Sequence, residues 1–198
     1  MKTDTKPGLY ERMIASMIKI KQMVLAGMFA ALTAVCAVVT VPLPITMVPV
    51  TLSVLAVGLT GGLLNKGAAV LAQLVYLLLG LVGLPVFSGF GSGPGVLFGP
   101  TGGYLIAYPV MAFVIAFARE KAAKRARRVA VPAAMLAAMA ILYLLGTVWF
   151  AAVTGRSIME SFALAVVPFI VPDLCKMAVA YAVSVMLEKP LGRLSASV

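Results

Sequence analysis

The sequence predicts an all-α integral membrane protein: six transmembrane helices, both termini cytoplasmic, and a Gly-rich outer loop between helices 3 and 4. Three observations carry this. The 198 residues are 63% hydrophobic and 11% charged, whereas a soluble domain is roughly a quarter charged. Charge-free stretches recur near the length that crosses a hydrocarbon core, about 17–25 apolar residues. The net charge of +10 comes from Lys and Arg gathered at a few places along the chain. One membrane domain covers 1–198, with a basic segment at 1–22, the helical bundle at 23–190 and a tail at 191–198.

The first span is 23–41, apolar and closed by the Pro42-Leu43-Pro44 turn. Lys19 and Lys21 precede it as in a signal peptide, but no small-x-small cleavage site leads into a soluble domain, so it reads as a retained helix. Spans two and three are 50–64 and 67–84. The fourth is 103–118, with Pro109 as an expected kink, and the fifth is 131–153. The last apolar stretch, 162–187, is broken by Pro168 and Pro172. Because proline suits the first turn of a helix, the sixth span is expected to start near Pro172, leaving 162–171 as an outer connection.

With six spans, the N-terminal segment, the second and fourth connections and the C-terminal tail share one side. Every Lys and Arg lies there except Arg156 and Lys176. The positive-inside rule makes that side cytoplasmic and puts both termini inside. The densest cluster is Arg119, Lys121, Lys124, Arg125, Arg127 and Arg128. It joins two spans and has no interleaved aromatics, so it reads as a topology signal touching anionic lipid, with no nucleic acid as partner.

The available chemistry is narrow. The chain has no histidine, which excludes imidazole bases, His-ligated metals and Ser-His-Asp triads. Cys36 and Cys175 lack metal-ligand or disulfide spacing and read as ordinary buried thiols. No metal and no cofactor are expected. There is no Gly-x-x-x-x-Gly-Lys-Ser/Thr loop, so ATP-driven work would need a partner that binds the ATP.

Two features are candidate binding elements. Residues 80–104 read GLVGLPVFSGFGSGPGVLFGPTGGY and hold nine of the 18 glycines between Gly80 and Gly103. Such a segment is not helical throughout, and its glycines, among them Gly89, Gly91 and Gly103, let backbone groups approach a ligand. Phe87, Phe90 and Tyr104 add aromatic surface, so the segment reads as a lid or binding loop, or as a packed re-entrant turn. The second feature is Val-Pro-Asp-Leu-Cys-Lys at 171–176, where Asp173 and Lys176 share a helical face. Ionisable groups in an apolar segment pair with each other or face a cavity, and both hold if a polar ligand meets the pair. Gln73 and Tyr76 share a face of the third span and either line the same cavity or pack helices. Ala26, Ala30 and Ala34 form a small-residue stripe on the first span, serving an internal neighbour or another subunit.

The run from GLPVF to GPTGGY, the Pro42–Thr51 stretch PLPITMVPVT and the Asp-x-x-Lys at 173–176 together resemble the BioY family, the biotin-specific S components of energy-coupling factor (ECF) transporters. The resemblance runs from about residue 23 to 190. Two positions depart from the family pattern: Pro172 stands for a glycine and Ser53 for a glutamine. The resemblance implies a six-helix subunit that captures biotin from outside with high affinity. It implies association with an ECF coupling transmembrane subunit and two cytoplasmic ATPase subunits, and it assigns the Ala26, Ala30 and Ala34 face to that coupling subunit. It assigns ligand binding to the Gly-rich loop, Tyr104, Asp173 and Lys176. The residues suit the ligand: Phe87, Phe90 and Tyr104 match its apolar ring, and Asp173 matches a ureido N–H. Lys176 matches either the ureido oxygen or the carboxylate. An S component for another small vitamin is the near alternative. An intramembrane enzyme on a lipid-linked substrate would have only Asp173, Glu160 and Lys176 as outer acid–base groups, and a pure scaffold would tolerate changes at Gly103 and Asp173.

Overall fold

The computed structural model describes residues 9–41 and 48–196, with side chains described at 17, 19–41 and 48–188. Helix α1, Leu9–Val38, is followed by a two-stranded ribbon, β1 Thr40–Val41 and β2 Val50–Thr51. The strands are antiparallel, Thr40 opposite Thr51 and Val41 opposite Val50. Then come α2 Ser53–Leu63, α3 Lys66–Leu81, the four-residue α4 Pro94–Leu97, α5 Gly102–Lys121, α6 Arg127–Thr154, α7 Ile158–Ala165 and α8 Ile170–Ala196. The first span therefore stops at Val38, three residues before its expected end, because β-branched Thr40 and Val41 pair with the ribbon instead. Most of the Pro42–Thr51 motif, residues 42–47, lies outside the described residues.

Among the described residues, four runs are long and apolar enough to cross a membrane: Lys19–Val38, Gly102–Lys121, Arg127–Thr154 and Ile158–Glu188. The other two apolar helices are shorter. The expected second span is an 11-residue helix, about 16 Å at 1.5 Å per residue, roughly half the hydrocarbon thickness. Its composition explains its place. A Cβ on Gly61 would sit 2.7 Å from Ile115 of α5, one on Gly58 2.9 Å from the Met177 sulfur of α8, and one on Gly62 2.9 Å from Ser184 of α8. Three glycines thus let α2 sink between α5 and α8, and Ser53, Val54, Ala56, Val57, Leu59 and Thr60 are buried with them. The helix is a core element surrounded by its neighbours.

The expected connection at 162–171 is largely helical. Ser157 and Glu160 form a reciprocal capping box at the start of α7: the Ser157 hydroxyl accepts from the Glu160 N–H, and the Glu160 carboxylate accepts from the Ser157 N–H. That Ser-x-x-Glu signal was present in the sequence. A 3-10 turn at Val167–Phe169 leads directly into α8, which starts at Ile170, so Pro172 falls in its first turn where the missing N–H costs nothing.

The core runs along the contacts of α1, α2, α3 and α5, closed by α6 and α8. Outward, α1 presents Met23, Val24, Met28 and Val35, α6 presents Leu136, Leu144 and Val148, and α8 presents Val179 and Val185, all exposed. Large apolar side chains on several helices are unfavourable in water and suit a lipid surround. At one end of the bundle Lys66 pairs with Glu120 at 3.8 Å and Arg127 with Glu188 at 2.6 Å, while Arg119 Nη2 donates to the Leu64 carbonyl at 2.8 Å. These contacts bring the α2–α3 turn, the end of α5, the start of α6 and the later part of α8 together. The Gly-rich segment and Asp173 sit at the opposite ends of the same helices.

Candidate functional site

Asp173 and Lys176 are both buried, at 4% and 8% exposure. Their i,i+3 spacing on α8 lets Lys176 Nζ donate to Asp173 Oδ1 at 2.7 Å. Tyr143 of α6 donates its hydroxyl to Asp173 Oδ2 at 2.9 Å. The pair is therefore held from two helices, and each charge offsets the other's desolvation. Asp173 also lies in the first turn of α8, where the helix dipole favours a carboxylate.

This group faces a recess of about 390 Å³, open at its mouth, walled by β2, α2, α5, α6, α8 and the α7–α8 connection. Thr51, Val54, Tyr104, Tyr108, Leu142, Tyr143 and Phe169 line it with the ion pair. A second recess of about 360 Å³ adjoins it and shares Val48, Pro49, Thr51, Tyr104 and Tyr108. Its other walls include Ala37, Ser53, Tyr76, Ser88, Thr101 and Leu105. Both volumes include space open to solvent at the mouth. The lining mixes aromatic and hydroxyl side chains with aliphatic ones, and among the described residues its charges are Asp173 and Lys176.

Tyr104 stands between the recesses because its ring packs over Gly146 of α6, where a Cβ would lie 2.3 Å from the ring, and its hydroxyl donates to the Ala165 carbonyl at 2.9 Å. Tyr108 stacks on Tyr76 at 6.3 Å, and its hydroxyl bonds Ser53 Oγ at 2.6 Å. Ser53 in turn bonds the Thr51 hydroxyl. Tyr143, Tyr108, Thr51 and Ser53 were not among the expected site residues. Tyr143 and Tyr108 each sit in a run of apolar residues where a phenol reads as core, and only the crossing of helices turns them inward.

The Gly-rich segment is irregular, with a 3-10 turn at Ser88–Phe90, α4 and linking turns. Gly89 at φ 63° and Gly93 at φ 81° occupy the left-handed region that glycine tolerates. Phe90 shares that region at φ 59°. The segment's expected site residues separate. Phe87 is fully buried, edge-on to Tyr76 at 5.6 Å and seated on Gly80, so it braces the second recess from behind. Phe90 is 69% exposed and lines neither recess. Gly91 closes the turn, donating to the Ser88 carbonyl and accepting from the Phe87 N–H. Gly103 is a helix-packing glycine, since a Cβ there would lie 2.3 Å from Trp149 Cβ. Trp149 also donates its indole N–H to the Gly99 carbonyl at 2.9 Å, which fastens the loop to α6.

Gln73 resolves to helix packing. It is fully buried away from both recesses, and its amide nitrogen donates to Thr33 at 3.3 Å and Thr60 at 3.2 Å, tying α1, α2 and α3. The alanine stripe is likewise internal: Ala26 and Ala30 are 1% exposed within the chain's own core and Ala34 packs against it. That corrects the expected coupling-subunit face. A stripe of small residues permits close approach, and α3 takes the place first. Cys175, expected buried, is exposed on the outer side of α8.

The model of the BioY family matches residues 10–193. The probable biotin transporter BioY of Pyrococcus horikoshii is 37% identical over 171 residues, covering 86% of this chain and 98% of that protein. The biotin transporter BioY of Thermotoga maritima is 39% identical over 169 residues, covering 85% and 96%. Among solved structures, the S-component for biotin from an ECF-type ABC transporter superposes with a TM-score of 0.77, at 24% identity, over 86% of this chain and 92% of that one. The last likeness is one of fold. With a family match over residues 10–193, relatives 37% and 39% identical over most of their length and an Asp-x-x-Lys pair buried at a tyrosine-walled recess, this chain belongs to the BioY family.

Proposed function

We propose that the protein captures biotin at the outer face of the cell membrane and passes it inward as the substrate-binding subunit of an ECF-type ABC transporter. The observation that carries this reading is the buried Lys176–Asp173 pair, steadied by Tyr143, at the wall of an otherwise uncharged aromatic recess. Biotin matches such a wall: a flat ureide with two N–H donors and one acceptor, an apolar ring and a carboxylate. Capture is binding without bond-making, and the protein acts as a transporter component and not as an enzyme. Tyr104 and Tyr108 contact the ring, and Asp173 accepts from the ureide.

In this reading the bundle crosses the membrane six times, with α2 enclosed by its neighbours and α3 completing the outer set. The end carrying Lys66, Arg119 and Arg127 faces the cytoplasm, and the Gly-rich segment faces outward. ATP is hydrolysed by partner subunits, two ATPases joined through a coupling membrane subunit, because these 198 residues hold no nucleotide loop. Calorimetry on purified protein in detergent tests the central point. Biotin binds tightly, and Asp173→Asn or Lys176→Ala weakens it by about 100-fold or more, because each leaves the other charge buried and unpaired. A panel of other small vitamins competes poorly. Wild-type protein that binds no biotin overturns the proposal.

A further inference from the structure

The end of the bundle opposite the basic one carries an apolar surface that ligand capture does not use. Helix α6 ends at Thr154, Gly155 turns the chain at φ 68°, and α7 follows from Ile158 to Ala165. Ser161 and Ala165 are buried on one side of α7, which packs against α6. On the other side Ile158 is 64%, Met159 78% and Phe162 43% exposed. Val153 before the turn and Val167 and Val171 after α7 are exposed as well. Arg156, at the turn, is exposed and has no acidic partner among the described residues.

Helix lengths give the level of this surface. Arg127 pairs with Glu188, so α6 and α8 are level at the basic end. From Arg127 to Thr154 α6 rises about 40 Å, and from Glu188 back to Ile170 α8 rises about 27 Å, at 1.5 Å per residue. The turn at Gly155 therefore stands about 13 Å beyond the start of α8, and α7, about 12 Å long, runs back over that difference. A hydrocarbon core of about 30 Å measured from Arg127 ends near the last turn of α7, which leaves the rest of α7 and Arg156 at headgroup level. A short helix there, with one apolar face and a cation beside it, has the chemistry of an interfacial helix: apolar side chains reach the acyl chains and the guanidinium meets phosphate. Its apolar face is continuous with the lipid-facing surfaces, through Val148 and Val153 of α6 and Val171 of α8. We infer that α7 is an interfacial anchor, in which Ile158, Met159 and Phe162 enter the outer leaflet and Arg156 takes a lipid phosphate. The anchor extends to the ligand site, because Ala165 and Phe169 wall the recess and the Ala165 carbonyl accepts from the Tyr104 hydroxyl at 2.9 Å. The outer leaflet thus holds one wall of that site in place. The anchor rests on the orientation proposed above, and its effect on affinity rests on the biotin reading.

Depth-dependent fluorescence quenching tests the anchor in vesicles of phosphatidylcholine and phosphatidylglycerol. With Cys36 and Cys175 replaced by serine, a bimane on Met159→Cys is expected to be quenched most by lipids carrying a nitroxide near the headgroup. One on Leu136→Cys, about 14 Å along α6 from Arg127, is expected to be quenched most by lipids labelled deep in the acyl chain. Equal depth profiles, or a Met159→Cys probe quenched by aqueous iodide and not by lipid, overturn the anchor. So does a probe that neither quencher reaches together with disulfide cross-linking of Met159→Cys between chains, which would give the face to a second copy. Ile158→Asp with Met159→Asp places carboxylates in the first turn of α7, where the helix dipole favours them, so insertion is lost and the helix is kept. The pair is expected to weaken biotin by about fivefold in the same vesicles, and Met159→Asp alone stands in where the pair does not fold. Unchanged affinity overturns the hold on the recess. A wild type that binds no biotin while Met159→Cys keeps its interfacial profile overturns the function proposed above and leaves the anchor standing.

Discussion

At the scale of single residues, the division that matters is between groups that face the recess and groups that support it. Asp173 and Lys176 stand out in the sequence because an acid and a base three apart in a charge-poor stretch are expensive to bury singly. Tyr143 does not stand out, although it occupies the second carboxylate oxygen. Tyr143→Phe is expected to weaken biotin binding by about tenfold without loss of fold, since it removes one charge-assisted hydrogen bond and keeps the ring. Calorimetry and the elution profile of the variant check both halves. Gln73 makes the opposite case. Thr33 and Thr60 each donate back to their own helix, to the Phe29 and Ala56 carbonyls, so neither depends on the amide. Gln73→Leu should therefore leave biotin affinity within about twofold and change stability by about 1 kcal/mol, as interhelical hydrogen bonds in membranes generally do. A thermal-shift and binding pair of measurements decides it.

At the scale of elements, the glycines explain the architecture better than hydropathy does. Gly58, Gly61 and Gly62 draw α2 into the core, Gly103 seats α5 against Trp149, and Gly80 receives the Phe87 ring. None of these positions needs an unusual backbone angle; each needs the absence of a side chain. Gly103→Ala is expected to destabilise the protein by about 1–3 kcal/mol through overpacking. Gly95→Ala, where an added Cβ meets nothing within 4 Å, is expected to be nearly silent. Thermal unfolding of the two variants in the same detergent checks the contrast. Hydropathy marked where apolar stretches lie, but it equated α2 with a lipid-facing span, because burial in protein and burial in lipid ask for the same side chains. It also passed over α7, whose Ser157–Glu160 capping box is a signal that hydropathy does not read.

At the scale of the whole molecule, Lys66, Arg119 and Arg127 lie at one end of the bundle and the recess at the other. From Asp173 to Glu188, α8 rises about 22 Å at 1.5 Å per residue, and Glu188 pairs with Arg127 at the basic end. The ion pairs there are exposed, 29% to 49% by side chain, so each contributes little to stability, about 0–1 kcal/mol. Their value is that they gather separate stretches of sequence at one end. With Cys36 and Cys175 replaced by serine, cysteines at Lys124→Cys and Gly95→Cys are expected to react with a membrane-impermeant reagent from opposite faces of sealed vesicles. Labelling of both from one face would contradict the proposed orientation.

By itself the sequence determined the class of the protein, the grouping of its cationic segments and the one buried ion pair. These follow from composition and spacing, which the bilayer and the cost of isolated charge constrain directly. Only the tertiary structure decided which polar and aromatic groups share a cavity. Tyr76, Tyr108, Tyr143, Thr51 and Ser53 come from five elements, and nothing local distinguishes a tyrosine that lines a recess from one that fills a core. The same holds for Ala26 and Ala30, whose spacing allows a close partner without naming it, and which the fold gives to its own third helix. Spacing along a chain specifies which side chains share a face; what that face meets depends on helices far apart in sequence.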